Sequence, residues 1–267
     1  MRRGWLVAAA VAVALVDLLP LWLVAKQALT PERESYAWPP TWWPQDLTLE
    51  SFAAANEVVP LVPGLARSVG IALCTVASTL ALALPAAWLA ARHRPAERIA
   101  ESVLVLVRSF PPIALAIPLA VLFIRMGLYN GRFGAGLWLA HTLLGLPFAF
   151  LALRSGFAGV PRDVEEAALL DGASPLAVFV RVLVPLVRPA LVTAALLVFL
   201  VSWDELAFSL LLQVTNRPLP PLLYYLAAFG HPGLSSAVAV LMLLPALAIV
   251  LLLEPAFRSG MLAGSGR

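Results

Sequence analysis

Six stretches of the chain are apolar almost without interruption, at about residues 5–25, 67–91, 99–124, 136–153, 184–212 and 237–253. Crossing a hydrocarbon core about 30 Å thick takes roughly 20 helical residues, and most of these runs approach or exceed that length. Within each run the apolar positions are continuous instead of alternating, so they predict helices and not barrel strands. The pattern predicts an all-α integral membrane protein of about six transmembrane helices, with one membrane domain over residues 1–267. A long polar segment at 160–183 and a short tail at 254–267 complete it.

The run at 5–25 follows Met1-Arg2-Arg3 and has the outline of a signal peptide. Its length, and Ala25-Lys26-Gln27 where a small-x-small cleavage site would stand, predict a retained helix with its N-terminus in the cytoplasm. Asp17 and Pro20 interrupt it. Residues 26–63 mix charges and prolines with Trp38, Trp42 and Trp43, a composition suited to an outer loop at headgroup level. Arg92-His93-Arg94-Pro95 makes a basic inner turn, and Pro111, Pro112 and Pro118 should bend or unwind the third span into a cavity-lining helix. With the N-terminus inside, inner segments hold eleven arginines (2, 3, 92, 94, 98, 154, 162, 181, 188, 258, 267) against six outer Lys/Arg (26, 33, 67, 125, 132, 217). The positive-inside rule therefore supports cytoplasmic N- and C-termini.

Composition agrees with the pattern: 61% hydrophobic residues, 12% charged and a mean hydropathy of +0.91 place the chain in a bilayer. The net charge of +3 is scattered between apolar runs, so nucleic-acid binding is excluded. Cys74, the single cysteine, allows no internal disulfide or cysteine cluster and reads as a packing residue. No metal constellation and no G-x-x-x-x-G-K-[ST] phosphate loop is present, so ATP chemistry, if any, belongs to a partner.

The most informative stretch is residues 160–174, Val-Pro-Arg-Asp-Val-Glu-Glu-Ala-Ala-Leu-Leu-Asp-Gly-Ala-Ser. Pro161 suits a helix start, and Asp163, Glu165 and Glu166 complement the positive N-terminal end of the helix dipole. Gly172 can end the helix in the left-handed conformation, and Ser174-Pro175 can cap and begin a second helix. Ala167 and Ala168 permit close backbone approach, while Leu169 and Leu170 add apolar contact. From the residues alone, docking into a partner's groove and a plain interfacial connector fit equally well.

Glu166-Ala167-Ala168, Gly172 and Val184-Pro185-Leu186 occur in the order of the signature of binding-protein-dependent ABC importer permeases, which the chain resembles. It is most similar to the second permease subunit of carbohydrate importers, the maltose-transporter-like group, through Asp171-Gly172-Ala173, Phe179 and Pro189. Thr48–Phe52, Gly127-Leu128-Tyr129-Asn130, Trp203-Asp204-Glu205 and the tail Ser259–Gly264 extend the likeness over nearly the whole chain. Asp204, where asparagine is usual, and Arg67-Ser68, where Asn-Ser is common, depart from the group.

The resemblance implies a type I ABC importer permease fold and a non-catalytic subunit in the bacterial inner membrane. Its partners would be a second permease chain, two cytoplasmic ATPase subunits and an extracytoplasmic solute-binding protein. The chain itself would hold no cofactor; ATP and magnesium would sit in the ATPase subunits. Glu165, Glu166, Ala167, Ala168, Leu169, Leu170, Asp171 and Gly172 would form the helix that seats in the ATPase and transmits its closure.

Trp203, Asp204 and Glu205 place an indole and two carboxylates in an apolar helix, where acids face a cavity or a partner. A polar lock or gate is favoured there over direct sugar contact. Arg108, inside the third span, reads as structurally paired before it reads as a substrate ligand, and His141 as a packing residue with no acid one turn away. Asn130-Gly131 is a turn signal, with binding-protein docking as the weaker reading. The solute class stays open between sugars or polyols and, behind them, polyamines or anions. The competing class is an ion-coupled carrier built on Asp17, Arg108, Asp204 and Glu205, with a membrane enzyme a distant third.

Overall fold

Continuous apolar runs become helices because every backbone polar group can then be satisfied within its own segment. The computed structural model describes residues 2–264, and every regular element among them is helical. In chain order these are α1 (Arg2–Ala28), α2 (Glu32–Ser35), α3 (Glu50–Val58), α4 (Leu61–Arg92), α5 (Arg94–Ser109), α6 (Pro112–Arg125) and α7 (Ala135–Ala158). There follow α8 (Arg162–Leu170), α9 (Pro175–Val178), a π-helical turn (Phe179–Leu183), α10 (Val184–Leu186), α11 (Arg188–Trp203), α12 (Ala207–Leu212), α13 (Leu219–Ala228) and α14 (Pro232–Gly264). Among the described residues four helices are long and apolar enough to cross a membrane, and the number rises to six if each of two sharply bent pairs is one broken span.

The first bent pair lies in the span expected at 99–124, where the prolines were expected to bend or unwind the helix; the second interrupts the span expected at 184–212. The first breaks between α5 and α6 with a bend of 99°. Phe110 and Pro111 are both extended there, because the ring of each proline drives the residue before it out of the helical region. The second bends by 77° between Pro175–Leu186 and Arg188–Trp203, then breaks again after Trp203 before α12 resumes. Pro185 cannot donate to the preceding turn, and the helix takes up π geometry immediately ahead of it. The expected outer segments are also less irregular than their composition suggested: α2, α3, the first turn of α4 and α13 lie within them. The last helix runs on through residues 254–264 of the expected tail, and residues 265–267 lie outside the described residues.

Two compact units divide the chain, residues 1–65 with 219–246 and residues 66–218 with 247–267. In the first, the end of α1 is tied to the following loop. Lys26 Nζ lies 3.0 Å from Glu34 Oε1 and donates to Thr41 Oγ1 at 2.7 Å; Trp22 Nε1 donates to the Trp42 carbonyl at 3.1 Å. Tyr36 Oη donates to the Gly230 carbonyl, and His231 Nδ1 lies 3.5 Å from Glu32 Oε1, joining this loop to α13 and α14.

The second unit is built on α7 packed along α11, with Phe150, Leu153, Phe157, Leu183, Val187 and Val198 buried in one apolar cluster. The approach is close: a Cβ on Gly156 would stand 2.5 Å from the Ala190 Cβ. Small residues at such crossings let helix backbones meet where lipid supplies no hydrophobic drive between helices. Beyond the backbone contact, Glu97 and Glu101 of α5 reach Arg154 of α7, the former in direct ion-pair contact and the latter at 3.5 Å.

Candidate functional site

Residues 160–178 fold as helix, turn, helix, as their capping residues require. Pro161 sits at the N-cap position of α8, one residue ahead of the expected first turn. The helix closes at Gly172, whose φ of +88° is the left-handed conformation, with Gly172 N donating to the Leu169 carbonyl and Ala173 N to the Ala168 carbonyl. Ser174 then caps α9 by accepting the Ala177 amide at 3.3 Å, and Pro175 takes the first helical position.

The eight residues expected to act in coupling do not share one environment. Glu165 points back into the chain and pairs with Arg92 Nε at 2.9 Å, both side chains being largely covered. The same guanidinium donates to the Phe157 and Val160 carbonyls at 3.2 Å, and Arg162 Nη2 donates to the Arg92 carbonyl at 2.9 Å. Ala168 is half-buried against the α7–α11 cluster. Glu166, Ala167, Leu169, Leu170, Asp171 and Gly172 are exposed, Leu170 at 89%. Trp88, Arg92, His93 and Arg162 wall a cleft of about 200 Å³ beside Glu165, Glu166 and Leu169. Arg92 and Arg162 escaped sequence reasoning except as positive charges, since Arg92 and Glu165 are 73 residues apart.

Trp203, Asp204 and Glu205 diverge. Trp203 is buried and stacks on Phe199 with ring centroids 5.4 Å apart. Asp204 is exposed at the break after α11. Glu205 is buried, its carboxylate accepting the Phe208 amide at 2.9 Å and the Ser209 amide at 3.1 Å, so it caps α12. His141 has no acid one turn away along α7, but its Nε2 lies 3.3 Å from Glu205 Oε2, and its Nδ1 is 2.8 Å from Ser202 Oγ. Glu205 comes from the break between α11 and α12, which spacing along α7 cannot reveal.

Arg108 is exposed, lies over the Phe148 ring at 5.1 Å and makes no ion pair among the described residues. It meets neither Asp204 nor Glu205, and no network of the kind an ion-coupled carrier needs joins these three. Asn130 is a turn residue with φ of +53°, its Oδ1 accepting the Thr215 amide and hydroxyl at 3.0 Å. Among the described residues no group of three or more His, Cys, Asp or Glu is placed to hold a metal ion.

Residues 83–261 match the family model described as binding-protein-dependent transport system inner membrane component. The chain is 32% identical over 252 residues to the sulfoquinovosyl glycerol transport system permease protein SmoH of Agrobacterium fabrum, covering 92% of this chain and 88% of that one. It is 31% identical over 229 residues to the trehalose transport system permease protein SugB of Mycobacterium tuberculosis, with 83% of each chain covered. A chain in the crystal structure of a bacterial ABC transporter that imports the acidic polysaccharide alginate superposes with a TM-score of 0.74 at 19% identity, over 96% of this chain and 95% of that one. That last likeness concerns the fold alone.

Proposed function

The chain belongs to the family of binding-protein-dependent transport system inner membrane components, and from that membership we propose that it is one permease half of an ATP-driven importer for a sugar or related polyol. Relatives named for trehalose, diacetylchitobiose and sulfoquinovosyl glycerol support the solute class. In this reading a second permease chain completes the translocation path and an extracytoplasmic binding protein delivers the solute. Two cytoplasmic ATPase subunits bind ATP and magnesium, and both termini of the permease lie in the cytoplasm.

The observation that carries the coupling role is the division of labour on α8. Glu165 is anchored to Arg92, whereas Glu166, Ala167 and Leu170 are presented outward on a helix closed by Gly172. A rigidly held helix with small and apolar residues facing out can receive a push from a partner's groove and pass it to α4 and α7. Asp204 takes the place of a gate residue, being the exposed acid at the broken fifth span.

The test is Glu166→Lys in the reconstituted importer. Glu166 is exposed, so assembly should persist while solute uptake and ligand-stimulated ATPase activity fall roughly tenfold, the effect of about 1.4 kcal/mol of lost docking. Normal uptake and stimulation in the assembled complex would overturn the assignment of α8 as the coupling element.

A further inference from the structure

Arg108 is a charged group within an apolar span that no ion pair among the described residues explains. It sits in the last turn of α5, immediately before the Phe110-Pro111 break, and its guanidinium rests on the face of Phe148. Phe148 stands thirteen residues after Ala135 and ten before Ala158 on α7, which is roughly 20 Å from one end of that span and 15 Å from the other. The cation is therefore held at the depth of the hydrocarbon core, where an ionised side chain faces a water-filled cavity or a compensating charge.

A structural role accounts for part of this placement. A cation in a helix's last turn complements its dipole, and an aromatic face attracts a guanidinium. Neither supplies a negative counter-charge for this exposed guanidinium, and no carboxylate of the described residues pairs with it.

The surroundings are arranged as a cleft of about 240 Å³. Phe110 and Phe148 present aromatic rings, Pro112 and Pro147 mark its walls at the break of one span and inside the next, and Leu144 and Val201 close it with apolar surface. That volume is below the roughly 300 Å³ at which pockets for whole ligands begin, so the cleft suits one end of a solute. A guanidinium is a planar fork that binds carboxylate, sulfonate or phosphate oxygens in pairs, and aromatic faces stack on the apolar side of a sugar ring.

We propose that Arg108 and this cleft form an anion-accepting subsite on the solute path that takes the acidic group of a charged saccharide. The proposal rests on the sugar-importer reading above for the saccharide, and on the unpaired guanidinium for the charge. Arg108 is on this account a specificity-determining residue: it holds the acidic group while the break between α5 and α6 keeps the cleft open.

Because Cys74 is the only cysteine of the chain, Cys74→Ser provides a background in which one introduced thiol can be followed by the intact mass of this chain. In the complete importer in proteoliposomes, Leu144→Cys should be labelled by anionic methanethiosulfonate ethylsulfonate in preference to its cationic trimethylammonium counterpart. Adding Arg108→Gln should reduce that preference roughly tenfold, and Arg108→Lys should retain most of it. A disaccharide containing a hexuronic acid should slow the labelling only when Arg108 is present.

Absence of labelling with and without ATP and vanadate would overturn the subsite, because the cleft would be sealed. A preference indifferent to Arg108→Gln would also overturn it, because a carboxylate of the second permease chain would then be neutralising the arginine. ATP-dependent uptake of neutral and acidic disaccharides by the same vesicles reads the sugar assignment separately. Uptake with a sealed cleft rejects the subsite alone; a reactive, Arg108-dependent cleft without saccharide uptake rejects the sugar assignment alone.

Discussion

Arg92→Ala removes three attachments of α8 and the segment before it in one change. The guanidinium holds Glu165 at 2.9 Å and the Phe157 and Val160 carbonyls at 3.2 Å, and its side chain is only 9% exposed against 17% for Glu165. Breaking a fully buried pair by removing one member costs about 3–5 kcal/mol, and an unpaired buried carbonyl about 1–3 kcal/mol. Partial access to water here lowers the total, and Glu165 retains its favourable place in the first turn of α8. A loss of about 3 kcal/mol follows, a shift of roughly a hundredfold in the balance between docked and undocked α8.

Hydrogen–deuterium exchange on the assembled importer reads that shift as faster exchange confined to residues 162–172, and ligand-stimulated ATPase activity should fall with it. Arg92→Glu combined with Glu165→Arg should not restore either, since a glutamate at 92 can donate to neither carbonyl. Unchanged exchange in Arg92→Ala, or full recovery in the swapped pair, would refute the account of Arg92 as the anchor of α8.

Glu205→Ala should lower the thermal stability of the assembled permease by about 2–4 kcal/mol, because it uncaps α12 and strips buried His141 of its acidic neighbour; Glu205→Gln, which keeps an acceptor for the Phe208 and Ser209 amides, should cost less. Thermal unfolding followed by size-exclusion chromatography checks this, and Asp204→Asn should leave the midpoint in place while changing uptake. A pH effect is expected at the loop after α1. The Thr41 hydroxyl hydrogen bond holds the Glu34 carboxyl below the ordinary glutamate range, with the Lys26 ammonium and the Gln45 amide adding to it against the opposing effect of burial. A carboxyl depressed in the folded state contributes stability that is complete above its unfolded value of about 4.3 and is lost as pH falls through the lower folded value. Protection of residues 29–48 from proteolysis should accordingly persist through mildly acidic pH and fail only below that range. Thr41→Val should move the loss to higher pH, and no movement would reject the role given to the hydroxyl.

Several parts of this molecule were legible one residue at a time. The ends of α8 follow from Pro161, Gly172, Ser174 and Pro175, because caps and turns depend on the conformations of neighbouring residues. Prolines 111 and 112 announced a disturbance in the third span, though a bend of 99° exceeds a simple kink. The side-chain pairs were different. Arg92 with Glu165, His141 with Glu205 and Arg154 with Glu97 join residues from separate elements of the chain, and no periodicity along one helix encodes which neighbour its face will meet.

The sequence by itself therefore determined the helical class, the apolar character of the long helices and the self-contained α8 motif, since hydropathy, helix length and capping are properties of consecutive residues. Tertiary structure alone decided that Glu165 is paired with Arg92 while Glu166 is exposed, that Glu205 is held internally while Asp204 is exposed, and that Arg108 has no acid beside it among the described residues. Glu165 and Glu166 are adjacent on α8 and point about 100° apart, so their fates separate as soon as neighbouring helices cover one direction and leave the other open, and the break after α11 separates Asp204 from Glu205.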